Sequence, residues 1–412
     1  MERTILHCDC NSFFASVELL DHPHLRQVPV AVCGQPEEKR GVVLAKNDLA
    51  KAMGVITGES VYAALKKCPN LTLLQAHHAA YSAYSKKLNA IYESYTSQVE
   101  PFGIDESWLD VTDSLHLFGS GQEIADAIRE RTRKHLGLTV SVGVSFNKTF
   151  AKLGSDYKKP DATTVISKAN FKNILYPLPV EAMLYVGQSA ASKLRRVGIR
   201  TIGDLAAASP ETLSSLLGRH GVQLHNDVNG LDDTPVAKTT DQNESKSIGK
   251  GQTFSRDLTS MDEVRLQALW LADQVAAQLR QAGLKCQNVQ VSIKNPQLKT
   301  ITRQKMLSAP TALARDLYQT AIDLVAAHWS FRTSVRMLTL TAQQLCRSDE
   351  MPVQLSMFQS TADEYSDRQE KLEASMDQIR SRFGSSSVTF GRLVKESKKT
   401  DNPSSEKEIT GD

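Results

Sequence analysis

Asp105 and Glu106 stand side by side in a stretch with Val99, Phe102 and Ile104 before them and Trp108, Leu109 and Val111 after. The alternation at the far end reads as a strand, so the acidic pair falls at or near a strand junction. Adjacent carboxylates beside apolar strands repel each other unless a positive group lies between them. Such a pair is either a solvated turn or part of a cation site. Asp9 weighs for the second, because it follows the short apolar run Ile5-Leu6. If the two strands are neighbours, three carboxylates meet. That oxygen-only set suits a hard divalent ion, and Mg²⁺ in particular binds through a few carboxylates plus substrate phosphates.

The elements that must position these groups follow from the pattern on either side. Residues 4–8 predict a short buried strand. The next residues, from Cys10 to Glu18, open a helix with Asn11 or Ser12 as N-cap. Segments 29–33 and 41–45 read as two strands joined by a charged loop, and a helix over 47–53 stops at Gly54. Helices over 79–95 and 122–136 carry apolar faces, and Leu138, Val140, Val142 and Val144 alternate as a strand. This order predicts an α+β sheet covered on one face by helices. Behind it, Asn147 to Lys152 start another helix and Lys158-Lys159-Pro160 follow. Those lysines are either simply exposed or arranged for a triphosphate.

From about Phe171 the texture changes to short helices broken by glycine, a form that offers backbone amides to phosphate oxygens. Residues 235–249 are polar and read as a linker. A second αβ module is expected beyond it, with helices near 264–279 and 314–327 and strands near 289–293 and 335–340. Between Lys238 and Arg347 there are fifteen Lys and Arg against eight Asp and Glu, although the whole 412-residue chain carries only +3. The remainder is acidic and Ser-rich, with an apolar island at 354–358 and a helix expected at 361–383. A chain this long implies two to four domains. Its six scattered cysteines form no CxxC pair and argue for a reducing compartment. With no apolar run of membrane length and no signal peptide at the start, a cytoplasmic protein is expected.

Taken together, these segments resemble a Y-family translesion DNA polymerase of the bacterial polymerase IV and V kind. Residues 9–18, from Asp9 to Glu18, are similar to the family's first motif. Residues 103–112 are similar to its paired-carboxylate motif, and residues 141–160 to its third. The resemblance implies an α+β multidomain polymerase: a palm at 1–10 and 77–166, fingers at 11–76, a helix-hairpin-helix thumb at 167–236 and a little finger at 243–345. A mostly flexible tail would occupy 346–412. It implies that Asp9, Asp105 and Glu106, with the Cys10 carbonyl, hold two Mg²⁺. Phe14 would be the aromatic gate against a 2′-OH, beside Phe13, and Lys51 and Lys159 would meet the triphosphate. Gly187, Lys250, Lys299 and Arg303 would hold DNA. Gln354, Leu355 and Phe358 resemble the peptide by which bacterial polymerases bind the sliding clamp. The implied partners are primer-template DNA, dNTPs and that clamp, for a monomer that touches no membrane.

Several positions depart from the family pattern. Asp48 and Lys51 stand where many relatives have a Tyr and an Arg, and Lys51 keeps a point charge without bidentate geometry. Asp48 is therefore expected to face away from phosphate. Asn11 stands where many relatives have a second Asp, and Tyr185 replaces the first glycine of the thumb hairpin. Two other readings use the same carboxylates differently. A nucleotidyl cyclase would need no hairpin helices and no basic C-terminal module, and a non-catalytic DNA-binding protein would not need the acidic triad.

Overall fold

β1 (Ile5–Cys10) reads Ile-Leu-His-Cys-Asp-Cys, and all six side chains are buried. A strand buried on both faces needs cover on both sides, and that requirement organises the N-terminal part of the chain. The computed structural model describes residues 2–36, 40–239, 246–347, 361–384, 386–391 and 393, with backbone only at 35, 40 and 361–367. The chain forms two compact units, Met1–Gln242 and Asn243–Asp412.

In the first unit the strands are β1, β2 (Val30–Gln35), β3 (Arg40–Lys46), β4 (Thr72–Gln75), β5 (Val99–Pro101), β6 (Glu106–Asp110), β7 (Val140–Ser145) and β8 (Thr163–Val165). Five of them make one sheet in the order β5-β6-β1-β7-β8, with β1 in the middle and antiparallel to β6 and β7. Leu6, Cys8 and Cys10 face helices His78–Glu93 and Gly121–Leu136, meeting Leu88, Ile91, Ile124 and Ile128. The second of these helices begins in a capping box made by Ser120 and Glu123 and stops at Gly137, whose φ is 67°.

Helices were expected on one face only, and this is corrected. Helix Lys148–Tyr157 lies on the other face, where Ala151 packs with Ile5 and Trp108. Gly143 makes this approach feasible, because a Cβ there would stand 1.9 Å from the Ala151 carbonyl oxygen. A period-2 strand with residues 5, 7 and 9 also buried requires that second layer. β1 likewise runs past the expected 4–8, so Asp9 is a strand residue with a fixed register.

The smaller sheet has the order β3-β2-β4, and β4, which the sequence reading omitted, pairs parallel with β2. Five short helices between Phe171 and Val228 share a core around Leu175, Leu194, Leu205, Leu213 and Leu224.

The second unit holds β9 (Ser247–Leu258), β10 (Leu284–Lys294), β11 (Thr300–Thr311) and β12 (Val335–Arg347), all antiparallel, in the order β11-β10-β12-β9. Helices Met261–Gln281 and Ala314–His328 cover one face. β9 begins inside the expected linker and was missed because it is an edge strand with mostly exposed side chains and little apolar alternation. Helix Thr361–Phe383 occupies the span expected for a helix, and Glu370, Glu373, Asp377 and Arg380 tie it to this unit by ion pairs. Gln354, Leu355 and Phe358 lie outside the described residues. No helix among the described residues is long and apolar enough to cross a membrane.

Candidate active site

The pairing of β1 with β6 sets Asp9 opposite Glu106, and Asp105 occupies the bend just before β6, where its carbonyl accepts from the Cys10 amide at 3.0 Å. The sheet therefore brings the three expected carboxylates to one rim. Helix Lys148–Tyr157 adds the cations. The Lys152 ammonium donates to Asp9 Oδ2 at 3.0 Å and to Glu106 Oε2 at 2.7 Å, and Asp156 Oδ2 lies at 3.3 Å. Lys159 Nζ is 2.8 Å from the same Asp9 oxygen and 2.7 Å from Asp156 Oδ1. Lys152 and Asp156 lie one turn apart on this helix, an i, i+4 signal in the sequence that had not been assigned to the site, and Lys159, which had been, follows just past the helix end.

These charges split the carboxylates. Burial alone would raise Asp9, but Lys152 and Lys159 outweigh it and hold Asp9 below its ordinary value. Asp105 is pushed up to about 6 by burial and by the neighbouring charges of Asp9 and Glu106. Burial opposes the ammonium of Lys152, yet Asp9, Asp156 and Glu106 more than compensate and raise it.

His7 was not singled out by sequence. It precedes Asp9 by two residues on the same face of β1, is fully buried, and lies edge-on to Trp108 with centroids 5.1 Å apart. Its Nδ1 is 2.9 Å from Ser155 Oγ and its Nε2 is 3.5 Å from Glu106 Oε2. Burial, then the nearby Lys152 charge, pushes its pKa well below the ordinary value, so the ring is neutral. His7, Asp9 and Glu106 each offer a ligand atom within 4.8 Å of the other two, so this acidic group can hold a metal ion.

The two aromatic rings part company. Phe13 is 3 % exposed and belongs to the sheet core, so it does not present a face to the site. Phe14 is half-buried and stacks on Tyr81, with centroids 4.0 Å apart and planes 12° from parallel. Tyr81 in turn donates to the buried Glu18 carboxylate, which fixes the stack. Asn11 is structural. Its amide donates to Ser141 Oγ and its oxygen accepts from the Asp161 amide, each at 2.9 Å, which ties the end of β1 to β7 and to the chain after Pro160.

Lys51 is exposed in helix Asp48–Ala52, which is capped by the Asn47 side chain. Asp48 is exposed and lines a cavity of about 350 Å³ together with Ser12, Arg26, Thr139 and Asp161, a lining that includes none of Asp9, Asp105, Glu106 and Lys159. Tyr185 adopts φ 66° and is 65 % exposed, so the hairpin keeps the left-handed backbone that glycine would supply. Gly187 caps helix Gln188–Arg196 with no side chain of its own and open space around it, leaving the first amides of that helix available.

The structure does not gather the expected basic residues of the second unit. Lys250 is on β9 and Arg303 on β11, the two edges of the sheet, three strand spacings or about 14 Å apart. Arg303 pairs with buried Val291 and so shares the helix-covered face, and Lys299 lies just before β11. The helix-free face carries Gln290, Ser292, Thr302, Thr339 and Thr341, with Lys294 the only charge among these neighbours. Hydroxyls and amides of this kind also bond phosphate oxygens, a donor class passed over in favour of lysine and arginine.

A five-stranded sheet with carboxylates on its rim, joined in one chain to short hairpin helices and a four-stranded αβ module, is the fold of Y-family DNA polymerases. A solved Y-family polymerase chimera titled Dbh-Dpo4(243-245)-Dbh is similar in fold, with a TM-score of 0.76 at 22% identity over 84% of this chain and 99% of that one. Residues 8–156 match the impB/mucB/samB family, 245–357 match its C-terminal domain, and 185–232 match the DNA polymerase-iota thumb domain. The chain is 47% identical to DNA polymerase IV of Acetivibrio thermocellus over 96% of its own length and 98% of that protein. It is 36% identical to DNA polymerase IV 1 of Bacillus subtilis over 100% and 98% of the two chains. The chain therefore belongs to the impB/mucB/samB family, as a translesion DNA polymerase of the DNA polymerase IV group.

Proposed function

We propose that Asp9, Asp105 and Glu106, with the Cys10 backbone carbonyl, hold two Mg²⁺ and that the rim they form joins a dNTP to a primer 3′-OH. The donor set fits hard cations, being all oxygen, and two ammonium groups already compensate its charge. Bound there, the ions would lower the pKa of the 3′-OH and stabilise the leaving pyrophosphate. Lys159, free to turn from Asp9 to phosphate oxygens, binds the triphosphate, and exposed Lys51 adds a point charge from the smaller sheet. The Phe14 ring, held by Tyr81, excludes a ribose 2′-OH. The observation that carries this reading is the register of Asp9 against Glu106 with Lys152 bridging them.

In this reading the palm takes 1–10 and 77–166, the fingers 11–76, the thumb 167–236 and the little finger 243–345. In the thumb, the open amides after Gly187 take a DNA phosphate. In the second unit, Lys250, Lys299 and Arg303 each hold backbone phosphates of the DNA from their own strands. Gln354, Leu355 and Phe358 tether a monomeric enzyme to the sliding clamp, raising its effective concentration at the primer. Five buried thiols, at Cys8, Cys10, Cys33, Cys68 and Cys286, support a cytoplasmic setting. The test is primer extension on a defined template. Asp105→Ala should remove incorporation while primer-template binding stays intact, and extension within a few-fold of the parent overturns the assignment. Phe14→Ala should admit ribonucleotides, and unchanged sugar discrimination assigns the gate elsewhere.

A further inference from the structure

Lys159 reaches the rim from a short connection, and an anchor two residues further on fixes where that connection runs. The connection spans 158–162, between helix Lys148–Tyr157 and β8. Within it, every polar group of Asp161 is engaged. Its amide donates to Asn11 Oδ1 at 2.9 Å, its carboxylate accepts from Arg129 Nε at 3.2 Å and from Arg133, and its carbonyl accepts from Arg129 Nη2. Arg129 also donates to Asp126 Oδ1 at 3.0 Å and Thr163 Oγ1 at 3.3 Å, so one guanidinium joins helix Gly121–Leu136, the connection and the start of β8. Asp161 adopts φ 51°, a left-handed conformation that a residue with a Cβ keeps when its surroundings impose it. On one side Pro160 and Asp161 face the cavity they share with Ser12 and Asp48, so the ion pairs supply there what packing does not.

The consequence falls on Lys159. Its ammonium stands 2.8 Å from Asp9 Oδ2 and 2.7 Å from Asp156 Oδ1, at the end of a flexible stem. Such a stem has no preferred direction of its own, so the position of its backbone decides what the ammonium can reach and how much freedom is lost in reaching it. We propose that Arg129, seconded by Arg133, is a positioning residue for nucleotide binding. Through Asp161 it holds the Lys159 connection where the ammonium can pass from Asp9 to the triphosphate of an incoming dNTP. A guanidinium suits this role because its fork grips the Asp161 carboxylate and carbonyl together, which a single ammonium point does not. The inference rests on the reading of Lys159 as a triphosphate ligand.

The test is single-nucleotide insertion by the full chain on a defined primer-template. Arg129→Met should raise KM for the dNTP about tenfold with kcat within about threefold of the parent, the pattern of lost binding rather than lost chemistry. Affinity for primer-template should stay at the parent's value. Lys159→Met should raise the same KM at least as far, and adding Arg129→Met to it should change KM by less than about twofold, because the two residues act in series. Factors that multiply in the double variant overturn the proposal. So does an unchanged KM in Arg129→Met beside a raised one in Lys159→Met, and a lowered melting temperature in that case would make Arg129 a brace for β8 alone. Should Arg129→Met fail to fold, Asp161→Asn replaces it in the same cycle and is read the same way. An unchanged KM in Lys159→Met removes the triphosphate role of Lys159 and this inference with it, while incorporation lost in Asp105→Ala still upholds the metal site.

Discussion

Among the described residues, each unit of this chain contains a cluster of largely buried charge, and the two are built from different cations. In the first unit Lys152 and Lys159 meet Asp9 and Glu106 as single ammonium points, leaving His7 Nε2 unpartnered and Asp105 with a raised pKa. In the second, Arg380 grips Asp273 with two parallel bonds of 2.9 Å, and Arg280 binds Asp377 at 2.7 Å, Glu373, and the Ala312 carbonyl at 2.9 Å. Glu373 also accepts from the Ala314 amide, capping a helix that has no side-chain cap of its own. Burial still raises Glu373 above its ordinary value despite that amide and Arg280, so guanidinium pairing offsets the desolvation without erasing it. The difference teaches what each cluster is for. Planar guanidinium forks fix geometry and hold helix Thr361–Phe383 in place, whereas ammonium points on flexible stems can be exchanged for another cation.

The sharpest way to break this comparison is to disturb each cluster and read both activity and stability. Glu106→Ala should reduce nucleotide incorporation about a thousandfold, a loss typical of removing a charge-stabilising group, while thermal unfolding changes little. A variant that unfolds earlier instead would make the first cluster structural. Arg380→Met, which strands buried Asp273, should destabilise the second unit by about 3–5 kcal/mol. Calorimetry reads that loss, and a melting profile like the parent's would show that helix Thr361–Phe383 is held by something else.

A pH series sharpens the contrast. Asp105 in the folded, metal-free protein titrates near 6, above the ordinary 3.8, so it holds its proton more tightly folded than unfolded. Its contribution to stability is therefore full below about pH 4 and lost as pH rises through about 6. The expected loss is about 3 kcal/mol at most, from a rise of about two units at about 1.4 kcal/mol per unit. Asp105→Asn should flatten this part of the stability–pH curve, and a curve unchanged by the substitution would assign the slope to other groups. The smallest effect belongs to Lys152→Met. Lys159 remains on Asp9 in that variant and Glu106 stays on the rim, so stability should fall by about 1–2 kcal/mol, the cost of leaving a largely buried carboxylate with one partner fewer. A loss as large as that of Arg380→Met, read by denaturant midpoint, would erase the distinction between the clusters.

The sequence by itself determined what is local. Asp9, Asp105 and Glu106 could be chosen because apolar alternation marks strand ends and because three carboxylates have few other uses together. Helices such as Gly121–Leu136 were readable from caps and period. Strand β9 was not, since an exposed edge strand carries little alternation, and helix Lys148–Tyr157 could be read as a helix without revealing which face it covers. Only the tertiary structure decided that Gly143 lets this helix against the sheet, that Lys152 therefore bridges Asp9 and Glu106, and that Ser155 meets the buried His7 ring. It also separated Phe13 from Phe14, neighbours in sequence whose side chains diverge around one helix. The physical reason is the same in each case: local propensity depends on a few neighbouring residues, whereas pairing of buried charge depends on layers brought together from distant segments, about which no single stretch carries information.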